Sequence, residues 1–401
     1  MTRGQPGSLW NKATFSYLAG TFLSQSGTFV SATAQSWVIL AATHDPLKLG
    51  LFTAARFLPS TVLAPVIGNF VDGRHARSVV VAGNLVQAAM ALLCVALAFS
   101  PNSLLFVPFL LAGVISQIFS LLEFSGRQAF LGAIVPDEHR ARFTGTSNSA
   151  STLGRIVGPA IAGLVLSLGT AGLAFALDAI SFVLAVVLLP RGLHELPVPK
   201  KKSSLREGLR LVLGLPEIRD LLLIFALVSL ISFNVATMIP LLAGSDYLNS
   251  PAALAAFNAA FGVGSFAGGL MRTFLKSAPT VSALVGLLVF GVTFAIVGLV
   301  HPLWAVVALI AVSGVGRLMF TASSTAVLMI GVGQERRGLV SGLYSFVFNG
   351  TTPVGALVVT SLSESLGTRT TFVICGSVAV ASSVLYAVSL RARREHAFVS
   401  A

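Results

Sequence analysis

Apolar runs of about 20 residues or more, separated by short breaks of Pro, Gly or charge, recur from one end of the chain to the other. A helix needs about 20 residues to cross roughly 30 Å of bilayer hydrocarbon, so each run predicts one membrane-spanning helix. The runs fall at 13–41, 47–71, 78–100, 103–126, 142–167, 170–190, 217–244, 251–271, 279–300, 303–330, 338–364 and 369–390. The predicted fold class is an all-α membrane protein with twelve transmembrane helices in two pseudo-symmetric six-helix bundles. The breaks at Ser100-Pro101-Asn102, Gly169-Thr170 and His301-Pro302 are too short to hold a separate ligand-binding domain.

One break differs. Residues 191–216 carry Pro197, Pro199 and the run Lys200-Lys201-Lys202, followed by Ser204 and Glu207 in the spacing of a helix capping box. Leu205, Leu209, Val212 and Leu213 then share one face, with Arg206 and Arg210 away from it. That pattern predicts a basic amphipathic helix lying on the inner leaflet. The expected domains are therefore a six-helix bundle at 1–190, this linker at 191–216, a second bundle at 217–390 and a tail at 391–401. The halves echo each other: His139-Arg140 to Gly145 has its counterpart in Arg336-Arg337 to Gly342, and Leu168-Gly169-Thr170 in Leu366-Gly367-Thr368. Gly158 and Gly355 keep the same offset from Gly145 and Gly342. Parallel repeats of this kind are related by an axis along the membrane normal.

Composition agrees with the pattern. Hydrophobic residues make up 55% of the chain, charged residues 10%, and the mean hydropathy is +0.88, against roughly 25% charged in soluble domains. The net charge is +12, yet its distribution argues against nucleic acid. Lys48 and Arg369 fall in one set of loops and Arg56, Arg155 and Arg317 within spans, while all other Lys and Arg lie in the N-terminus, the alternate loops, the linker or the tail. Such positive-inside bias places both termini in the cytoplasm. Cys94 and Cys375 lie in apolar runs and imply no disulfide framework. The first run is too long and too polar for a cleaved signal peptide. With no Gly-Lys dipeptide there is no phosphate-binding Walker loop. The six histidines fall in loops, linker or tail, so no metal site or histidine-based catalysis is expected and the chain is not read as an enzyme.

Two motifs carry a resemblance. Gly68, Asp72, Arg74 and Arg77 occupy the polar turn between the second and third runs, which must sit at a membrane face because irregular backbone is not tolerated in lipid. This G-x-x-x-D-x-R-x-x-R spacing resembles the signature loop of the major facilitator superfamily, with Gly73-Arg74 standing where the family has a basic residue and its neighbour. On the fifth span, Gly145, Gly154, Arg155, Gly158, Pro159 and Gly163 resemble the antiporter motif of facilitator-type exporters. Small residues let helices approach closely, and Pro159 removes a helix hydrogen bond. Together with Arg127 to Leu131 and the segment 174–182, these residues resemble the bacterial subgroup of enterobactin exporters and macrolide efflux proteins over nearly the whole chain.

The resemblance implies a secondary active transporter. It points to proton-coupled export of an amphipathic small molecule (a drug, siderophore or secondary metabolite) by alternating access. The alternatives are a facilitator-fold importer or uniporter and, more distantly, a membrane scaffold that transports nothing. It further implies no cofactor, a proton gradient as energy source, a small-molecule substrate and the lipid bilayer as partners, no nucleic acid, a monomer, and location in the bacterial cytoplasmic (inner) membrane. In the family the counterpart of Asp72 gates the cytoplasmic seam near the start of the eleventh helix.

Charges inside spans are costly and usually mark function. Glu123 shares a helix face with Ser116, Ser120 and Arg127 and is the first choice for proton coupling, on the expectation that water screens Arg127. Asp178 is the second candidate; its depth matches that of Arg155, which suggests a buried pair. In the family the first, fourth, seventh and tenth helices surround the substrate. Here those runs offer Gln25, Thr28 and Gln35; Ser116, Gln117 and Ser120; Asn234 and Thr237; and Arg317 and Thr321. Arg317 lies near mid-depth and suits an anionic or hydroxyl-rich substrate.

Overall fold

The computed structural model describes residues 10–63, 76–99, 106–190, 210, 212, 214–248, 250–275, 278–330, 332 and 337–399. Its helices are, in order, α1 (Lys12–Thr43), α2 (Pro46–Val62), α3 (Ala76–Ala98), α4 (Phe106–Ile134), α5 (Asp137–Ser167), α6 (Ala171–Leu188), α7 (Pro216–Ile231), α8 (Val235–Ser245), α9 (Pro251–Phe274), α10 (Pro279–Val297), α11 (Leu303–Ile330), α12 (Arg337–Leu366) and α13 (Thr368–Val399). Local chemistry sets their ends. Asn11 and Thr14 exchange side-chain and backbone hydrogen bonds of 2.9 Å to cap α1. Pro216, Pro251 and Pro279 stand in the first turn of α7, α9 and α10, where a missing N–H costs nothing. Gly169 and Gly367, at φ +84° and +86°, turn the chain after α5 and α12 in a region that a Cβ disfavours.

Among the described residues ten stretches are long and apolar enough to cross a bilayer: they fall on α3 to α6, on α7 together with α8, and on α9 to α13. α1 has the length but is diluted by Ser24, Gln25, Thr28, Ser31 and Gln35, and α2 is 17 residues long. Leu92, Leu164, Leu223, Val263 and Leu385 are exposed, as side chains facing lipid would be. Trp304 stands 77% exposed at the start of α11, a position typical of an interfacial aromatic.

Two predicted elements need correction. The fourth run was expected to end at 126, but α4 continues to Ile134 and draws Arg127 into the buried interior. The seventh run was expected to be continuous, but the backbone leaves the helix at Ser232-Phe233-Asn234. There Ser232 Oγ donates to the Cys375 carbonyl at 2.7 Å, and Asn234 Nδ2 donates to the Leu230 carbonyl at 2.9 Å. Polar side chains that compete for backbone partners favour such a break.

The chain groups into two compact units, residues 1–44 with 55–200 and residues 45–54 with 201–401. In the first, α1 packs on α5 and α6, and α3 packs on α4 and α6; in the second, α7 packs on α12 and α13, and α10 packs on α11 and α13. These contacts correspond between the halves, whereas α9 also packs on α11 in the second. Of the linker, Val212 is buried with Ile218 and Leu221 and Arg210 is exposed; its residues 191–209, 211 and 213 lie outside the described residues, as do Gly68, Asp72 and Arg74.

Candidate functional site

Asp178 on α6 is 4% exposed and lines a cavity of ≈ 10 Å³ within the first unit, on the order of one water. α1 can come this close because Gly27 has no side chain: a Cβ there would lie 2.8 Å from Asp178 Oδ1. α1 also supplies Thr28, Ser31 and Gln35 to the cavity, α2 supplies Arg56, α3 supplies Gln87, and α4 supplies Ser116, Gln117 and Ser120. Arg56 Nη1 donates to Gln35 Oε1 at 2.7 Å, and Gln35 Nε2 donates to Cys94 Sγ at 3.2 Å. Ser31 and Arg56 line the cavity with the Asp178 carboxylate, and Arg56 is the cation that acts on it electrostatically. Even so, Asp178 Oδ1 is buried without a hydrogen-bond partner among the described residues.

This differs from the expected Arg155–Asp178 pair. The Arg155 guanidinium lies over the Phe29 ring, 5.7 Å from its centroid, on an exposed stretch of α5. Depth along a helix matched the two residues, but their faces do not meet.

Glu123 also sits otherwise than expected. It is 3% exposed and forms an ion pair with Arg127, itself 6% exposed and one turn along α4. Arg127 further donates to Thr21 Oγ1 at 2.7 Å and Ser24 Oγ at 3.2 Å, and its carbonyl accepts from the Tyr17 hydroxyl at 3.4 Å. The partner that was to be screened by water is therefore buried and fully engaged.

In the second unit Asn234 and Thr237 lie at the start of α8, both buried, and Thr321 bonds back to the Arg317 carbonyl of its own helix at 3.1 Å. Arg317 reaches toward the break, with its guanidinium 5.2 Å from the Phe233 ring centroid and 5.5 Å from that of Phe261. Of the expected cavity residues in the first unit, Thr28, Gln35, Ser116, Gln117 and Ser120 come together. Gln25 does not; its Cβ faces Gly154 of α5.

The glycines of α5 are contact points. A Cβ on Gly154 would lie 2.9 Å from the Phe22 carbonyl, and one on Gly158 would lie 2.6 Å from that of Ser26, whereas Gly145 faces open space. Pro159 is inside the helix and Gly163 is buried. Of the loop motif, Arg77 alone is described; its Nε donates to the Pro190 carbonyl at 3.4 Å, tying the start of α3 to the end of α6. Sequence reading missed Arg56 and Gln87. Both were visible as a charge and an amide inside apolar runs, the signal that singled out Glu123.

The sequence profile of the Major Facilitator Superfamily matches residues 17–348 and 221–399. The chain belongs to that superfamily. It is a multi-pass membrane transporter, not an enzyme. Macrolide efflux protein A of Streptococcus pyogenes is 21% identical over 389 residues, 94% of this chain and 95% of its own length. The staphyloferrin A transporter of Staphylococcus aureus is 26% identical over 192 residues, 47% of each chain. Among solved structures, the nucleoside transporter NupG superposes with a TM-score of 0.73 at 14% identity, over 94% of this chain and 99% of that one. A bacterial homologue of the iron transporter ferroportin, inward-facing, gives 0.71 at 18% identity over 94% and 97%. These two share the superfamily fold with the present chain.

Proposed function

We propose that this facilitator exports an amphipathic small molecule in exchange for protons, and that Asp178 carries the coupling proton. In this reading the chain spans the bacterial cytoplasmic membrane twelve times as a monomer, with both termini and the linker in the cytoplasm. The observation that carries it is the contrast between the two buried carboxylates. Glu123 is paired with Arg127, which Thr21 and Ser24 also hold, so neutralising Glu123 would leave a buried guanidinium without its counter-charge. Asp178 lines a hydroxyl- and amide-lined cavity with one oxygen unpartnered. When ionised, its carboxylate draws on Arg56; when protonated, it leaves Arg56 to Gln35 and needs one acceptor from whatever enters the cavity. A proton and a substrate that favour different conformations of such a site couple through the conformational equilibrium. Export over import is supported by the antiporter-like helix and by the efflux names of the relatives. Gly68, Asp72, Arg74 and Arg77 complete the reading as the gating loop at the cytoplasmic face.

Reconstituted protein under an imposed pH gradient tests this. Asp178→Asn is expected to lose uphill accumulation of a carboxylate-bearing siderophore probe while keeping probe-for-probe exchange, which needs no net proton movement. Uphill accumulation by Asp178→Asn at the wild-type level would overturn the assignment.

A further inference from the structure

Arg317 is a charge that the second unit does not answer. It stands 14 residues after Leu303 and 13 before Ile330 in α11, about 20 Å along the helix from either end at 1.5 Å per residue. The described carboxylates of this unit's spans lie near helix ends: Asp220 in the first turns of α7, Asp246 just after α8, Glu364 in the last turn of α12. Asp246 is in any case bound to Arg369 at 2.7 Å. Among the described residues Arg317 forms no ion pair, and its Nε is buried without a hydrogen-bond partner.

What the guanidinium does have is two aromatic faces, Phe233 and Phe261, with Tyr344 of α12 in electrostatic reach but no carboxylate. Phe233 is available because the chain leaves the helix at 232–234, and its ring is wedged in place by Phe225, Phe290 and Phe320. Ring faces offset part of the cost of a charge held in the membrane, but they accept no strong hydrogen bonds. Arginine keeps its proton in such a place and presents a planar fork of N–H donors. A carboxylate matches that fork with two parallel bonds.

We infer that Arg317, with Phe233 and Phe261, binds the carboxylate of an amphipathic substrate, so that the carrier selects acids over uncharged or amine-bearing molecules of the same body. This rests on the exporter reading for its substrate, but not on which residue carries the proton.

The test is equilibrium binding to the purified protein at neutral pH, corrected against protein-free micelles. The probes are 1-pyrenebutyrate, 1-pyrenebutanol and 1-pyrenebutylamine, which share one apolar body. A charge-assisted pair predicts the acid bound at least about tenfold more tightly than the alcohol, with the amine weakest. Arg317→Gln brings acid and alcohol to within about twofold of each other. Equal binding of acid and alcohol by the wild type, no measurable binding of the acid, or an acid preference that survives Arg317→Gln would each overturn the proposal, and the first two need no variant to fold. No pH gradient is involved, so a wrong proton carrier leaves these results unchanged, while a wrong substrate class leaves the Asp178→Asn exchange assay readable.

Discussion

Arg56 donates to Gln35 across 2.7 Å in the interior of the first unit, while the carboxylate it faces, Asp178, keeps one oxygen unpartnered. Both residues are more than nine-tenths buried, so neither charge is dissolved in water. Removing one of two buried opposite charges leaves the other less compensated. Arg56→Met is therefore expected to lower the melting temperature and yield of the purified protein. Adding Asp178→Asn to it is expected to recover much of that loss. Strictly additive losses in the double variant would show that the two groups do not answer each other.

The glycines of α5 and α12 make a paired prediction across the repeat. A Cβ on Gly158 would meet the Ser26 carbonyl at 2.6 Å, and one on Gly355 would meet the Leu230 carbonyl and Asn234 Nδ2, the latter at 2.6 Å. Gly145 and Gly342 have nothing within 4 Å. Gly158→Ala and Gly355→Ala are expected to lower thermal stability, since backbone carbonyls must move. Gly145→Ala and Gly342→Ala are expected to leave it unchanged or raise it by up to about 1 kcal/mol through helix propensity. Melting curves of the four variants decide this, and equal losses at all four positions would remove the contact argument.

What was legible in the sequence followed from length and spacing. Apolar runs long enough to cross a bilayer are visible without any knowledge of neighbours, and so were the matching glycines, Gly169 with Gly367 and Gly158 with Gly355. The break in the seventh run was not visible, because apolarity reports burial and not whether backbone bonds continue. Its cause includes Ser232 Oγ on the Cys375 carbonyl, 143 residues away. The partner of Asp178 was misread for a related reason. Depth along a helix can be counted, but rotation about its axis depends on packing, and rotation is what puts Arg56 rather than Arg155 beside the carboxylate. Arg127 was lost to a boundary: placing the end of the fourth span at 126 put a buried guanidinium outside the membrane.

Orientation is open to direct labelling. The sparse Lys and Arg of one set of loops predict that Asn102 and Asp246 face the outside and that Ser203, in the basic linker, faces the cytoplasm. Cys94 and Cys375 are buried and should contribute little background. Single cysteines at Asn102 and Asp246 are expected to react with an impermeant maleimide in whole cells, and one at Ser203 only after lysis. The opposite pattern would invert the topology.

Glu123 and Arg127 give the sharpest contrast with the proposed coupling residue, Asp178. The guanidinium is 6% exposed and bonded to Thr21 and Ser24 as well as to Glu123, so it cannot turn to water when the carboxylate is lost. Glu123→Gln keeps the shape and removes the compensating charge, at an expected cost of about 3–5 kcal/mol. The variant should show low yield and a lowered melting temperature. Arg127→Met in the same chain should restore part of both, since replacing a buried pair by apolar groups is often near neutral. Whatever Glu123→Gln protein does fold should still accumulate substrate against its gradient. A Glu123→Gln protein that melts like the wild type yet loses only gradient-driven transport would return the proton to Glu123 and reduce Asp178 to a structural group.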